Sequence, residues 1–140
     1  MAVNKGASRS IMAEFSEVSW SRLESSHCQL KELFCEVVKE FDCTILCGYR
    51  DREEQNRLYG EGRSKVKFPD SKHNQIPSWA VDAVPYPIDW QDRERITLFA
   101  GYVLGVAAKM DIPIQWGGDW NRDTEVKDNE FDDLPHFELI

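Results

Sequence analysis

Three separated segments of the chain carry residues able to hold a metal ion and move a proton: Ser71-Lys72-His73, Ala80-Val81-Asp82 and Asp133-Leu134-Pro135-His136-Phe137-Glu138. His73, Asp82 and His136 offer the three nitrogen or oxygen ligands of a catalytic zinc, which keeps a fourth position open for water. Asp133 is then free for proton transfer; its bland alternative is an exposed loop acid beside Asp132. Taken singly, each histidine is ordinary, since an isolated one is more often a surface or hydrogen-bonded residue than a ligand. Asp82 is less ordinary. It interrupts the apolar run Ala80-Val81-Asp82-Ala83-Val84, and a carboxylate buried there needs a metal or an arginine beside it. His136 and Glu138 stand two apart in a run of strand character and so share a face, which lets Glu138 accept from an imidazole and orient it.

Two further groups invite weaker readings. Asp119, Asn121, Asp123, Glu125 and Glu130 match positions 1, 3, 5, 7 and 12 of a calcium loop, but Thr124 replaces the turn glycine and no flanking helices are evident. The alternative is a solvated acidic loop. Cys28, Cys35, Cys43 and Cys47 contain no Cys-x-x-Cys pair and read as buried reduced thiols, with a disulfide or a second metal site as the alternative.

The elements that must position these residues follow from hydrophobic period. Leu30, Leu33, Phe34, Val37, Val38 and Phe41 mark an amphipathic helix from about Ser25 to Glu40, and Ile96, Phe99, Ala100, Val103, Ala107 and Met110 mark another from about Gln91 to Met110. Asp51 reads as the cap of a short helix to Tyr59. Strands are expected at Asp42 to Cys47, Ala80 to Val84, Ile112 to Trp116 and Pro135 to Ile140, with long loops over 60–79 and 117–132. Residues 1–20 read as a partly ordered lead-in and 21–140 as one domain. The expected fold class is α+β, with helices packed on a small antiparallel sheet.

Composition narrows the function. A net charge of -8 and no basic stripe argue against nucleic acid as a partner. Met1 to Gly6 lacks an apolar signal core, and the best apolar run, around Leu98 to Ala108, is too short to span a bilayer. No stable membrane association is expected.

Ser71-Lys72-His73 through Trp79-Ala80-Val81-Asp82, Trp116-Gly117-Gly118-Asp119-Trp120 and Asp133 to Leu139 resemble the zinc D,D-carboxypeptidase and L-alanyl-D-glutamate endopeptidase family, and most closely its single-domain phage endolysins. The likeness runs from about Ile45 to Leu139. It implies a D,D-peptidase or hedgehog-like fold with one zinc in a cleft, ligands at His73, Asp82 and His136, and the general base at Asp133. The family's active-site arginine falls on Arg50 of Gly48-Tyr49-Arg50, followed by a helix bearing Gln55. Ser71, Gln55, Glu138 and Trp116 are expected to support the site or touch substrate, with Trp79 and Trp120 also flanking it.

The implied substrate is the stem peptide of peptidoglycan. The stretch between His73 and Asp82 is longer than the family's more widespread spacing, around Ile76-Pro77, and this favours the L-Ala–D-Glu bond over D-Ala–D-Ala carboxypeptidase action. A catalytically silent wall-binding or virion module is the alternative of a different class. With no apolar signal core, the chain is expected to be made in the host bacterial cytoplasm, as a monomer, and to reach the wall when a holin-type partner opens the membrane.

Overall fold

The computed structural model describes residues 14–140. Its elements in order are α1 (Glu17–Glu24), α2 (Cys28–Glu40), β1 (Cys43–Cys47), α3 (Arg52–Gly60), a one-turn 3-10 helix (Lys72–Asn74), β2 (Ala80–Pro85), α4 (Arg93–Lys109), β3 (Ile114–Gly117) and β4 (Asp133–Leu139). The four strands form one antiparallel sheet in the order β1-β2-β4-β3. This is the α+β class expected from the hydrophobic periods.

The two longest helices, α2 and α4, cover one face of the sheet. Leu30, Leu33, Phe34, Val37 and Val38 of α2 and Phe99, Ala100, Val103 and Ala107 of α4 bury their side chains against Ile45, Val81, Ala83, Ile114, Phe137 and Leu139. Phe137 is the centre of this contact, with ring centroids 5.6 Å from Phe34 and 6.2 Å from Phe99. Because strand side chains alternate, the inward placement of Val81 and Phe137 sends Asp82, His136 and Glu138 to the opposite face. The core thereby fixes the site without touching it.

Helix α1 is a departure from the expected lead-in. Ser16 caps it by accepting from the Ser19 amide, and only Ser19 and Leu23 are buried, so the helix has almost no apolar period to read. It lies along β1, an edge strand. There the Ser19 hydroxyl accepts from the Ile45 amide at 3.1 Å and Arg22 donates to the Ile45 carbonyl at 3.1 Å, supplying partners that an exposed edge would lack. Residues 1–13 of the lead-in lie outside the described residues. Helix α2 starts at Cys28 rather than Ser25, because the hydroxyls of Ser25 and Ser26 close the end of α1 on Arg22 and Leu23.

Candidate active site

Register and bulges build the floor of the site. Cys47 pairs with Asp82, and Asp82 with His136, so three adjacent strands contribute one transverse row. A register shift between Ile45 and Cys47 sets two residues of β1 against one of β2, which takes Cys47 off the core face that Cys43 and Ile45 occupy. A second shift lies between Trp116 and Gly117, where β3 moves its pairing from Phe137 to Asp133. The skipped stretch contains Pro135, which has no amide to give a ladder. Asp133 therefore begins β4 instead of ending the preceding loop.

His73 arrives on the one-turn helix. The Ser71 hydroxyl accepts from the His73 amide at 3.1 Å, and Asn74 Oδ1 accepts from the Ser71 amide at 3.0 Å, a reciprocal cap. The same turn is tied to Arg50: the Arg50 amide donates to the His73 carbonyl, and Asn74 Nδ2 donates to the Arg50 carbonyl at 2.9 Å.

The three expected ligands converge. His73 Nε2 lies 3.1 Å from Asp82 Oδ1 and 3.3 Å from His136 Nδ1, and His136 Nδ1 lies 3.2 Å from Asp82 Oδ1. A tetrahedral zinc with ligands at about 2.0–2.1 Å has edges of about 3.3 Å, so the triangle is already the size of one tetrahedral face. The outer nitrogen of each ring is occupied. His73 Nδ1 donates to the Gly48 carbonyl at 2.7 Å and His136 Nε2 to Glu138 Oε1 at 2.8 Å. These bonds select the tautomers whose lone pairs face the triangle, and the donor set fits a zinc ion.

The acid–base balance of the three groups follows from burial and from their mutual contacts. Burial works to lower the His73 pKa, but the charge and hydrogen bond of Asp82, with the Cys47 contact, outweigh it and hold it at about 10. Burial likewise opposes the hydrogen bonds of Asp82 and Glu138 at His136, which end at about 9. At Asp82 burial is overcome by the two imidazoles, which keep the carboxyl well below the usual range. Asp133 moves the other way: burial, then the charge of Asp82, raise its pKa against the pull of the two rings and Arg50. Its Oδ2 is 3.8 Å from His136 Nδ1.

Arg50 turns toward the triangle. Its Nη1 donates to Gln55 Oε1 at 3.1 Å and its Nη2 faces Asp82 Oδ2 at 3.4 Å. Gln55 has no exposed surface. Its Nε2 donates to Ser64 Oγ at 2.8 Å and the Val66 carbonyl at 2.7 Å, and its Oε1 also accepts from Asn74. Glu138 is held behind His136 by Gln115 at 2.8 Å and Lys72 at 3.5 Å.

The tryptophans near the site take separate places. Trp116 is 3% exposed, packs in the core and donates to the Leu134 carbonyl at 2.6 Å, away from the lining of the cleft beside His136. Trp120 does line one, with its ring 5.5 Å from that of His136, whereas Trp79 packs against the core and under the Lys72 ammonium. In the acidic loop read as a candidate calcium site, the side chains bond to their own loop. Asp119 accepts from the Asp123 and Thr124 amides, and Asp123 accepts from the Glu125 amide and the Asn121 side chain. Glu130 is exposed.

Sequence reasoning named Cys47 among the thiols without placing it beside His73 and Asp82, and it missed Asn74. Ligand atoms of Cys47, His73 and Asp82 lie within 4.8 Å of one another, with the Cys47 sulfur 3.7 Å from His73 Nδ1. That nitrogen already serves Gly48, so the His136 triangle is the better-formed metal set. The bulge that turns Cys47 toward the site has no signal in residue type. Asn74 could have been found as the partner residue of Ser71 in a capping pattern.

The site opens into a cleft of about 470 Å³ that takes in Arg50, Trp120, Asp133 and His136. A second groove of about 480 Å³, with Tyr49, Trp90 and Pro135, shares Arg50, Leu58, Arg63 and Asp82 with the first. Space therefore continues to both sides of Asp82.

Comparison with known proteins agrees with this architecture. Over 91% of this chain and 90% of the other, the fold superposes on the crystal structure of the Serratia marcescens L-Ala D-Glu endopeptidase ChiX, at 22% identity and a TM-score of 0.69. The family model for phage L-alanyl-D-glutamate peptidase matches residues 11–140. With that model running through every element that builds the triangle and the cleft, the chain belongs to the phage L-alanyl-D-glutamate peptidase family.

Proposed function

We propose that this peptidase cuts the L-Ala–D-Glu bond of peptidoglycan stem peptides with a zinc ion held by His73 Nε2, Asp82 Oδ1 and His136 Nδ1. The observation that carries the reading is the triangle of 3.1, 3.2 and 3.3 Å edges with both outer ring nitrogens already bonded. Bound zinc supplies polarisation of the peptide carbonyl and a water acidic enough to attack at neutral pH. Asp133, whose raised pKa suits both halves of a proton transfer, takes the proton of the attacking water and delivers it to the leaving amine. Arg50, held by Gln55, presents its planar guanidinium to the negative charge that develops on the carbonyl oxygen.

Space on both sides of Asp82 suits a bond inside a longer peptide, where a carboxypeptidase would close its cleft around a chain end. Among the described residues no helix is long and apolar enough to cross a membrane. In the proposed setting the enzyme is made in the host cytoplasm, acts as a monomer and depends on a separate holin-type partner to reach the wall. The test is metal analysis and digestion together. Purified protein should carry one zinc per chain, lose activity on chelation and regain it with zinc, and mass spectrometry should find stem peptides cut after L-Ala. Activity that survives chelation, or release of single D-Ala residues instead, would reject the proposal.

A further inference from the structure

Four cationic side chains line the catalytic cleft: Arg50, Arg63, Lys65 and Lys72. Three have acidic partners. Arg50 faces Asp82, Lys72 lies 3.5 Å from Glu138 and donates to the Leu139 carbonyl, and Arg63 reaches Glu61 at 3.3 Å. Lys65 makes no ion pair among the described residues; its ammonium lies over the Phe131 ring, 4.9 Å from the centroid. In a chain with 25 acidic and 17 basic residues, a cleft lysine with no acid beside it is conspicuous. The ring attracts the ammonium without neutralising it. Lys65 follows α3 and Phe131 precedes β4, so the contact spans two separate loops and holds the lysine side chain at the cleft.

The substrate supplies the matching anion. D-glutamate has two carboxyls, and at most one can continue the peptide. We propose that Lys65 is a specificity-determining residue that binds the free carboxylate of the D-glutamate, so that the enzyme selects the acid over its carboxamide. The inference rests on the L-Ala–D-Glu reading above. An ammonium donates charge-assisted hydrogen bonds to a carboxylate, whereas a carboxamide has no net charge and turns donors as well as an acceptor toward it. Because Lys65 is exposed, solvent screening limits the discrimination to about tenfold.

The test uses two blocked L-Ala–D-Glu–L-Lys peptides that differ only in whether the free carboxyl of D-glutamate is an acid or a carboxamide. Cleavage rates are compared for wild type, Lys65→Met and Lys65→Glu. Wild type should favour the acid by about tenfold, chiefly through KM, as an interaction made equally in ground and transition states does. Lys65→Met should abolish the preference and leave the carboxamide rate within about twofold of wild type, and Lys65→Glu should invert it. Equal rates for the two peptides with wild type, or an equal loss on both with Lys65→Met, would overturn the assignment. If wild type cut neither peptide after L-Ala, the peptidase reading would fall and this one with it; cutting both with no dependence on residue 65 removes this inference alone.

Discussion

Asp133 and His136 stand 3.8 Å apart, yet substitution should separate them. Asp133→Ala is expected to keep its zinc and lose turnover by about 10²–10⁴-fold, the usual contribution of a positioned proton-transfer group. His136→Ala should lose zinc and, with it, folding stability. Metal missing from the Asp133 variant would make that residue a ligand. Gln55 offers a test away from the chemistry. Replacement by Leu strips partners from Arg50, Asn74, Ser64 and the Val66 carbonyl; Asn74 is the buried one, and a buried group that loses a partner costs about 1–3 kcal/mol. Urea unfolding should show the loss, and a midpoint equal to wild type would contradict it. Among the thiols, burial pushes Cys43 up to about 12 while Cys28 is exposed, so iodoacetamide at pH 8 should label Cys28 and spare Cys43. Residue types were enough to pick out His73, Asp82, Asp133 and His136 as candidates. Gln55 was reached only through the resemblance, and its bonds to Arg50, Ser64 and the Val66 carbonyl join segments that meet only after folding; of Asn74, only the local cap on Ser71 had a sequence signal.

At the scale of elements, two glycines hold the site by being small. A Cβ on Gly117 would lie 2.0 Å from the Asp133 carbonyl oxygen, and one on Gly48 would lie 2.2 Å from the Arg22 carbonyl oxygen. Gly117→Ala must therefore push β4 at the residue proposed to carry the proton. We expect a loss of about 1–3 kcal/mol in stability and a fall in kcat beyond what the lost folded fraction explains. A variant with wild-type melting temperature and kcat would show that the strands give way freely. Periodicity located α2, α4 and the four strands because each has one apolar face to bury. It passed over α1, which buries only Ser19 and Leu23, and over the turn carrying His73, whose order comes from the Ser71–Asn74 cap. The bulges at Cys47 and Gly117 depend on register, a relation between strands that neither strand encodes alone.

For the whole molecule, the triangle links metal, protons and stability. In metal-free protein the pKa of His73 is held at about 10 and that of His136 at about 9, both above the ordinary 6.5. A raised pKa of this sign stabilises the fold in full below pH 6.5 and loses that contribution as the pH climbs through 9 and 10. The urea midpoint of chelated protein should therefore fall between pH 6.5 and 10, and zinc should remove most of the fall by taking the place of the protons. A midpoint that rises with pH in the chelated protein would reject this linkage. The sheet order β1-β2-β4-β3 also has a consequence in time. Strand β4 is the last of the four to leave the ribosome, yet it occupies an interior place and brings both Asp133 and His136. While synthesis is still short of it, β2 and β3 have no common neighbour and the ligand set lacks a member. On the proposed assignment of Asp133 and His136, the nascent chain is expected to be inactive until β4 closes the sheet.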